Sequence, residues 1–155
     1  LYRALTVPAA VANALLRLRA NRWASGRKLP ARCPRCGCSS LDVGHLIVCY
    51  SRVFAPAYGL VREAVSLLHR ELHGQSPARI LDALPNAAWI AIMLGSMHDN
   101  GPEWLASTAH SLQTCNARRG CRALLRQNQV LLRLLNTAWS HVVDVFKELV
   151  ADTAR

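Results

Sequence analysis

Acidic residues are scarce in this chain. Asp and Glu number nine in 155 residues, and they are scattered singly. No paired-aspartate motif is available for polymerase chemistry, and no Ser-His-Asp order, Walker loop or Gly-rich dinucleotide fingerprint appears. The sequence therefore offers no catalytic constellation and reads as a non-enzyme. Aromatic residues make up only 6%, and the apolar remainder is mainly Leu, Ala and Val, which favours helix over sheet. The longest uninterrupted apolar run, Ala87 to Leu94, falls far short of the roughly 18 residues a membrane span needs. Six cysteines do not dominate the composition, and their spacing is not that of a disulfide scaffold.

Hydrophobic residues make up 52% of the sequence, enough for a core in one domain with a helical extension. Nineteen Lys and Arg give a net charge of +10, and all but Lys28 and Lys147 are arginine. The distribution is uneven. Residues 1–41 carry Arg3, Arg17, Arg19, Arg22, Arg27, Lys28, Arg32 and Arg35 with no acid at all. A second acid-free tract, Trp104 to Val143, holds Arg118, Arg119, Arg122, Arg126 and Arg133. Two concentrated basic zones suit a polyanion, because guanidinium forks grip phosphate oxygens and each such grip releases counterions. The plainer alternative is a basic surface kept for solubility. Arg19 and Arg22, three apart on a continuous helix, are expected to form the main grip, because Arg17 and Arg19 cannot share a face. Arg118, Arg119 and Arg122 are the expected second contact, or else a face for an acidic protein. The chain begins at Leu1, as expected of a fragment or processed product. Its Arg-rich start has a presequence-like composition, but Pro8 and the apolar pattern after it read as folded helix.

Proline and glycine punctuate the chain. Pro8 sits at a first helical position, and the following helix is expected to run to Gly26. Leu29 to Tyr50 reads as a compact knuckle. Pro56 is expected to open a helix closed by Gly74, Ser76-Pro77 a short helix to Leu84, and Pro85 another ended at Asp99-Asn100-Gly101. Pro102 begins a last helical region with a break near Gly120. Within it Leu125, Asn128, Leu132, Leu135, Trp139, Val142, Phe146 and Leu149 recur at spacings of three and four. That stripe packs either on the domain's own helices or on a partner helix, and Leu132, Leu135, Trp139, Val142 and Phe146 are the candidate partner interface. A division into a basic helix (1–28), a knuckle (29–54) and a helical region (55–155) follows.

The segment "RCPRCGCSSLDVGHLIVCY" concentrates four cysteines and a histidine. Cys33 and Cys36 form a Cys-x2-Cys pair, and His45 and Cys49 complete three thiolates and one imidazole. That is a closed tetrahedral Zn2+ set with no open position for water, so the metal is expected to be structural. The site would carry a charge of minus one, offset by Arg32 and Arg35. Cys38 could stand in for Cys36 or Cys49, but the two-residue gap favours Cys36. His69 and His73 lie four apart, yet "HREL" lacks the glutamate of a zinc peptidase, and they read as surface or interface histidines. Cys115 and Cys121, with His110, lack a fourth ligand and read as buried thiols.

The stretch "LLRLRANRWASGRKL…CPRCG…DVGHLIVC", followed by "FAPAYGLVREAV", resembles the tail behind the polymerase domain of non-LTR retrotransposon reverse transcriptases. The likeness covers roughly residues 11–70. The resemblance implies an all-α thumb end leading into a Cys-Cys-His-Cys zinc knuckle, with Cys33, Cys36, His45 and Cys49 as ligands. It implies a nucleic-acid face of Arg17, Arg19, Arg22, Arg27, Lys28, Arg32 and Arg35. The gaps before and after His45 are eight and three residues, where that family more often has seven and four. Neither a polymerase motif nor a Pro-Asp…Asp nuclease motif accompanies the knuckle, and such a tail binds without copying or cutting.

The expectation is thus an all-α domain with an embedded zinc knuckle that binds nucleic acid, structured RNA foremost. Such a tail could remain in a retroelement polyprotein or serve a larger ribonucleoprotein, a mitochondrial ribosome being one such home. Mitochondrial and nuclear settings are both open. The alternative is a protein-binding structural subunit of a large assembly, with zinc as a staple and the C-terminal helix as interface.

Overall fold

A computed structural model of the chain describes residues 7–23, 32–39, 41–73, 78–96 and 122–153. Among them are α1 (Ala9–Arg19), α2 (Val43–Cys49), α3 (Ser51–His73), α4 (Ala78–Asp82), α5 (Asn86–Met93) and α6 (Arg122–Thr153). The protein is all-α, and no strand occurs among the described residues.

The two long helices carry the fold. Both are strongly amphipathic, as packing of one face requires. On α3 the buried face is Phe54, Ala57, Val61, Ala64 and Val65; on α6 it is Leu131, Leu135, Ala138, Trp139, Val142, Val143, Val145 and Phe146. α3 and α6 make the most extensive helix pair, with α1 laid against α6 and α5 against both. Phe146 joins the layers. Its ring lies 5.3 Å from that of Phe54 on α3 and 6.2 Å from that of Trp23 after α1. Trp139, wholly buried, donates its indole N–H to the carbonyl of Ile92 on α5 at 3.0 Å. A second cluster fixes α4 and α5 to α3. Arg62 donates to the Tyr58 hydroxyl at 3.2 Å, pairs with Asp82 and lies over the Trp89 ring.

Leu135, Trp139, Val142 and Phe146 are therefore part of this chain's own core, which corrects the expectation that they form a partner interface. The stripe's apolar spacing is real, but α3 and α5 already cover it. The side chains of Leu125, Asn128 and Leu132 lie outside the described residues.

Several helix ends differ from the expected ones. α1 stops at Arg19 rather than Gly26, with Pro8 as its N-cap residue. Asn21 takes the left-handed conformation (φ 58°), Arg22 N–H bonds the Arg17 carbonyl and Asn21 N–H that of Leu18. This is a Schellman ending, made here by asparagine where glycine is the usual signal. α5 ends likewise at Met93, with Gly95 at φ 85° and Ser96 N–H on the Ala91 carbonyl. α3 begins at Ser51, and Pro56 lies inside it. Val53 and Phe54 N–H groups already bond the Tyr50 carbonyl, and Phe54 is buried, so the helix is nucleated before the proline. The expected 54/55 boundary thus falls within α3. The expected turns at Gly26, 99–101 and Gly120 lie outside the described residues.

Candidate metal centre

The knuckle has two halves, each shaped by its own local signals. In the first, Cys33 N–H donates to the Cys38 carbonyl at 2.8 Å and Gly37 N–H to the Cys33 carbonyl at 2.9 Å. Gly37 takes φ 74°, a conformation that side chains disfavour, and this turns the chain so that Cys38 N–H faces Cys36 Sγ at 3.4 Å. The second half is α2, a regular helix inside the segment that reads in sequence as a compact knuckle. Asp42 caps it, its carboxylate accepting from His45 N–H at 2.7 Å. His45 and Cys49 stand four apart, hence on one face, while Val43, Leu46 and Ile47 bury the other.

These halves bring Cys33, Cys36, His45 and Cys49 together, with one donor atom from each lying within 4.8 Å of all the others. Cys33 Sγ and Cys49 Sγ are 3.7 Å apart, and Cys36 Sγ and His45 Nε2 are 3.3 Å apart. With metal–sulfur bonds of about 2.3 Å and metal–nitrogen bonds of about 2.0 Å, a tetrahedral site has edges of about 3.5–3.8 Å. The donor set fits a tetrahedral metal ion. Among the described residues no other cluster of such groups does. Cys38 is exposed and stands outside the set. Of the two histidines expected at a surface or interface, His69 is buried within this chain. His110, Cys115 and Cys121 lie outside the described residues, as does the side chain of His73.

The thiols are electrostatically unequal. Burial pushes Cys33 up, but the N–H groups of Cys36 and Arg35 and the side chains of His45 and Cys36 outweigh it and hold Cys33 down at about 6. Burial pushes Cys49 up too, and Cys33 and Cys36 add to it, to about 11. The Cys49 thiolate is thus disfavoured beside the Cys33 and Cys36 sulfurs. A divalent ion at the centre removes that conflict.

Asn21 links the centre to α1. Its side-chain oxygen accepts the N–H of Val43, the first residue of α2, at 2.9 Å. Trp23 donates its indole N–H to the Leu41 carbonyl at 3.3 Å. The end of α1 is thus pinned to the start of α2. Nothing in the sequence marks Asn21 for that role except its residue type, which tolerates a left-handed backbone and carries a capping oxygen.

Arg17, Arg19, Arg22, Arg32 and Arg35 are all exposed, and Arg35 lies 5.5 Å over the Tyr50 ring beside the centre. The expected Arg19–Arg22 pairing is corrected. The helix ends between them, and it is Arg17 and Arg22 that line one cleft, together with Lys147 of α6, a residue with no signal of its own in the sequence. Arg27, Lys28, Arg118 and Arg119 lie outside the described residues, as does the side chain of Arg122.

No family model, curated protein or solved structure matches the chain. No helix among the described residues is long and apolar enough to cross a membrane.

Proposed function

We propose that this protein is a non-catalytic, zinc-stapled module that binds structured RNA within a larger ribonucleoprotein, and that it descends from a reverse-transcriptase tail. The observation that carries the binding claim is the exposed arginine group on the end of α1 and around the first two cysteines, in a segment free of acid from residue 1 to 41. Cys33, Cys36, His45 and Cys49 hold the ion. Four protein donors close its shell, so it supplies shape and charge rather than an activated water. Through Asn21 that shape sets where Arg17 and Arg22 stand. Phosphate contacts of this kind position a protein without reading sequence.

The test is binding of a structured RNA across a salt series, for the wild type and for Arg17→Ala/Arg22→Ala. Affinity should fall with salt, and removing each phosphate-binding arginine should flatten the log–log slope by about 0.7–0.9. A wild type without salt-dependent affinity would refute the reading.

A second reading has its own observation. Val48 and Val53 are 53% and 41% exposed. Val48 borders an apolar cleft with Phe54, Trp89 and Met93. That surface favours a structural subunit with a protein partner on α2, α3 and α5. Val48→Asp, expected to abolish assembly but not RNA affinity, separates the two.

A further inference from the structure

An open cleft of about 380 Å³ follows the seam between α1 and α6. The apolar side chains at its base, Leu18, Trp23, Val143 and Phe146, are all buried in the core, so little hydrophobic surface is left for a ligand to cover. What the seam presents to solvent is charge. Arg17 and Arg22 belong to α1 and its end, Lys147 to α6, and all three are exposed. Among the described residues no carboxylate pairs with Arg17 or Arg22. Lys147 has Asp144 near it at 3.9 Å, beyond hydrogen-bond reach, and both side chains are more than two-thirds exposed. Such a pair is weak enough for a phosphate to displace. The acids of α6 are placed with equal consequence. Asp144, Glu148 and Asp152, three of the nine in the chain, recur every four residues and form one exposed stripe. None of them lines the cleft, which α6 meets with Val143, Phe146, Lys147, Val150 and Ala151. A polyanion is therefore attracted by the seam and repelled by the flank beside it.

We propose that an RNA phosphate backbone runs along the α1–α6 seam, held by Arg17 and Arg22 from one side and by Lys147 from the other, with the acidic stripe of α6 as the edge of its footprint. The inference rests on the RNA-binding reading above and adds to it a contact residue on a second helix and a path for the strand. Arginine forks match phosphate oxygens, and the lysine ammonium serves as a point charge. The backbone that carries these cations is set before RNA arrives. Arg22 N–H bonds the Arg17 carbonyl at 2.8 Å, which fixes the two arginines to one chain reversal. Phe146, the residue before Lys147, packs against both Trp23 and Phe54. Binding then has only the side chains to order, which lowers its cost. Phosphate contacts carry no sequence information, so the grip should be alike for all sequences. An acidic amphipathic helix of a partner protein is the competing occupant. It fits less well, because such a helix seats an apolar face in a hydrophobic groove and this seam leaves little apolar surface open.

The test is the salt dependence of binding to a labelled RNA hairpin, followed by fluorescence anisotropy, for the wild type, Lys147→Ala, Lys147→Arg and Arg70→Ala. Lys147 is exposed, so its replacement leaves the core untouched. Lys147→Ala should flatten the log–log slope by about 0.7–0.9, so that each tenfold dilution of salt gains about five- to eightfold less affinity than in the wild type. Lys147→Arg, which keeps the charge, should keep the slope. Arg70, also exposed, lies about 24 Å along α3 from Phe54, and Arg70→Ala should leave the slope unchanged. An unchanged slope for Lys147→Ala, beside a flattened one for Arg17→Ala/Arg22→Ala, overturns the proposal and leaves the RNA reading standing. Equal flattening by Arg70→Ala would reduce the effect to net charge and overturn it as well. Binding of poly-L-glutamate that depends on Lys147, with RNA slopes equal for wild type and Lys147→Ala, would assign the seam to an acidic protein instead. A wild type without salt-dependent affinity refutes the RNA reading itself.

Discussion

Asn21 does three things with one residue: it ends α1, allows the reversal after it, and caps α2. Asn21→Gly keeps the left-handed backbone and removes the capping oxygen, whereas Asn21→Ala sacrifices both. The alanine variant should be destabilised by about 2 kcal/mol and the glycine variant by about half that, as denaturant midpoints would show. At the centre, Cys36→Ala should reduce metal retention after dialysis, and Cys38→Ala should leave it unchanged. The reverse result would move the ligand to Cys38. Trp139→Ala removes a fully buried ring and one of the two N–H groups on the Ile92 carbonyl, which keeps that of Gly95, so the cavity should cost about 3–5 kcal/mol in denaturant unfolding.

At the scale of elements, the metal centre is a turn docked on a capped helix, and its loading should follow pH. Near pH 7.5 Cys33, at about 6, is already ionised, while Cys49, at about 11, keeps its proton. Metal uptake must therefore release the Cys49 proton. Below about pH 6 it must also displace one from Cys33. Affinity should rise with pH, and more steeply on the acid side of 6, in a competition titration with a chromophoric chelator. The cysteine and histidine spacing makes the donor set legible without coordinates. So is the helical class, from Leu and Ala content and the stripe on α6. The ends are less legible, for physical reasons. A left-handed asparagine takes the role expected of Gly26. Pro56 sits where a helix already nucleated at Tyr50 tolerates it. The Arg17–Arg22–Lys147 grouping joins residues of α1 and α6 that no local pattern relates.

For the whole molecule, one hydrophobic cluster runs from Leu15 of α1 through Val43 and Ile47 of α2 to Phe146 of α6. Stripping the metal should loosen the turn at Cys33–Cys38 and the placement of α2. It should leave most far-ultraviolet helical signal in place, because α3 and α6 bury each other without the ion. A collapse of that signal on chelation would show the staple to be essential to the whole fold.

The hydrogen bond between His141 and the Val53 carbonyl spans 88 positions of the chain. That gives the α3–α6 pair a consequence in time. Most helical proteins assemble from neighbours in sequence and fold fast, whereas here the principal interface closes a long loop. During synthesis at about 5–20 residues per second, the apolar face of α3 emerges several seconds before the helix that covers it. Through that interval Phe54, Val61 and Val65 have no α6 to meet, so the nascent chain carries an apolar face that the finished fold hides.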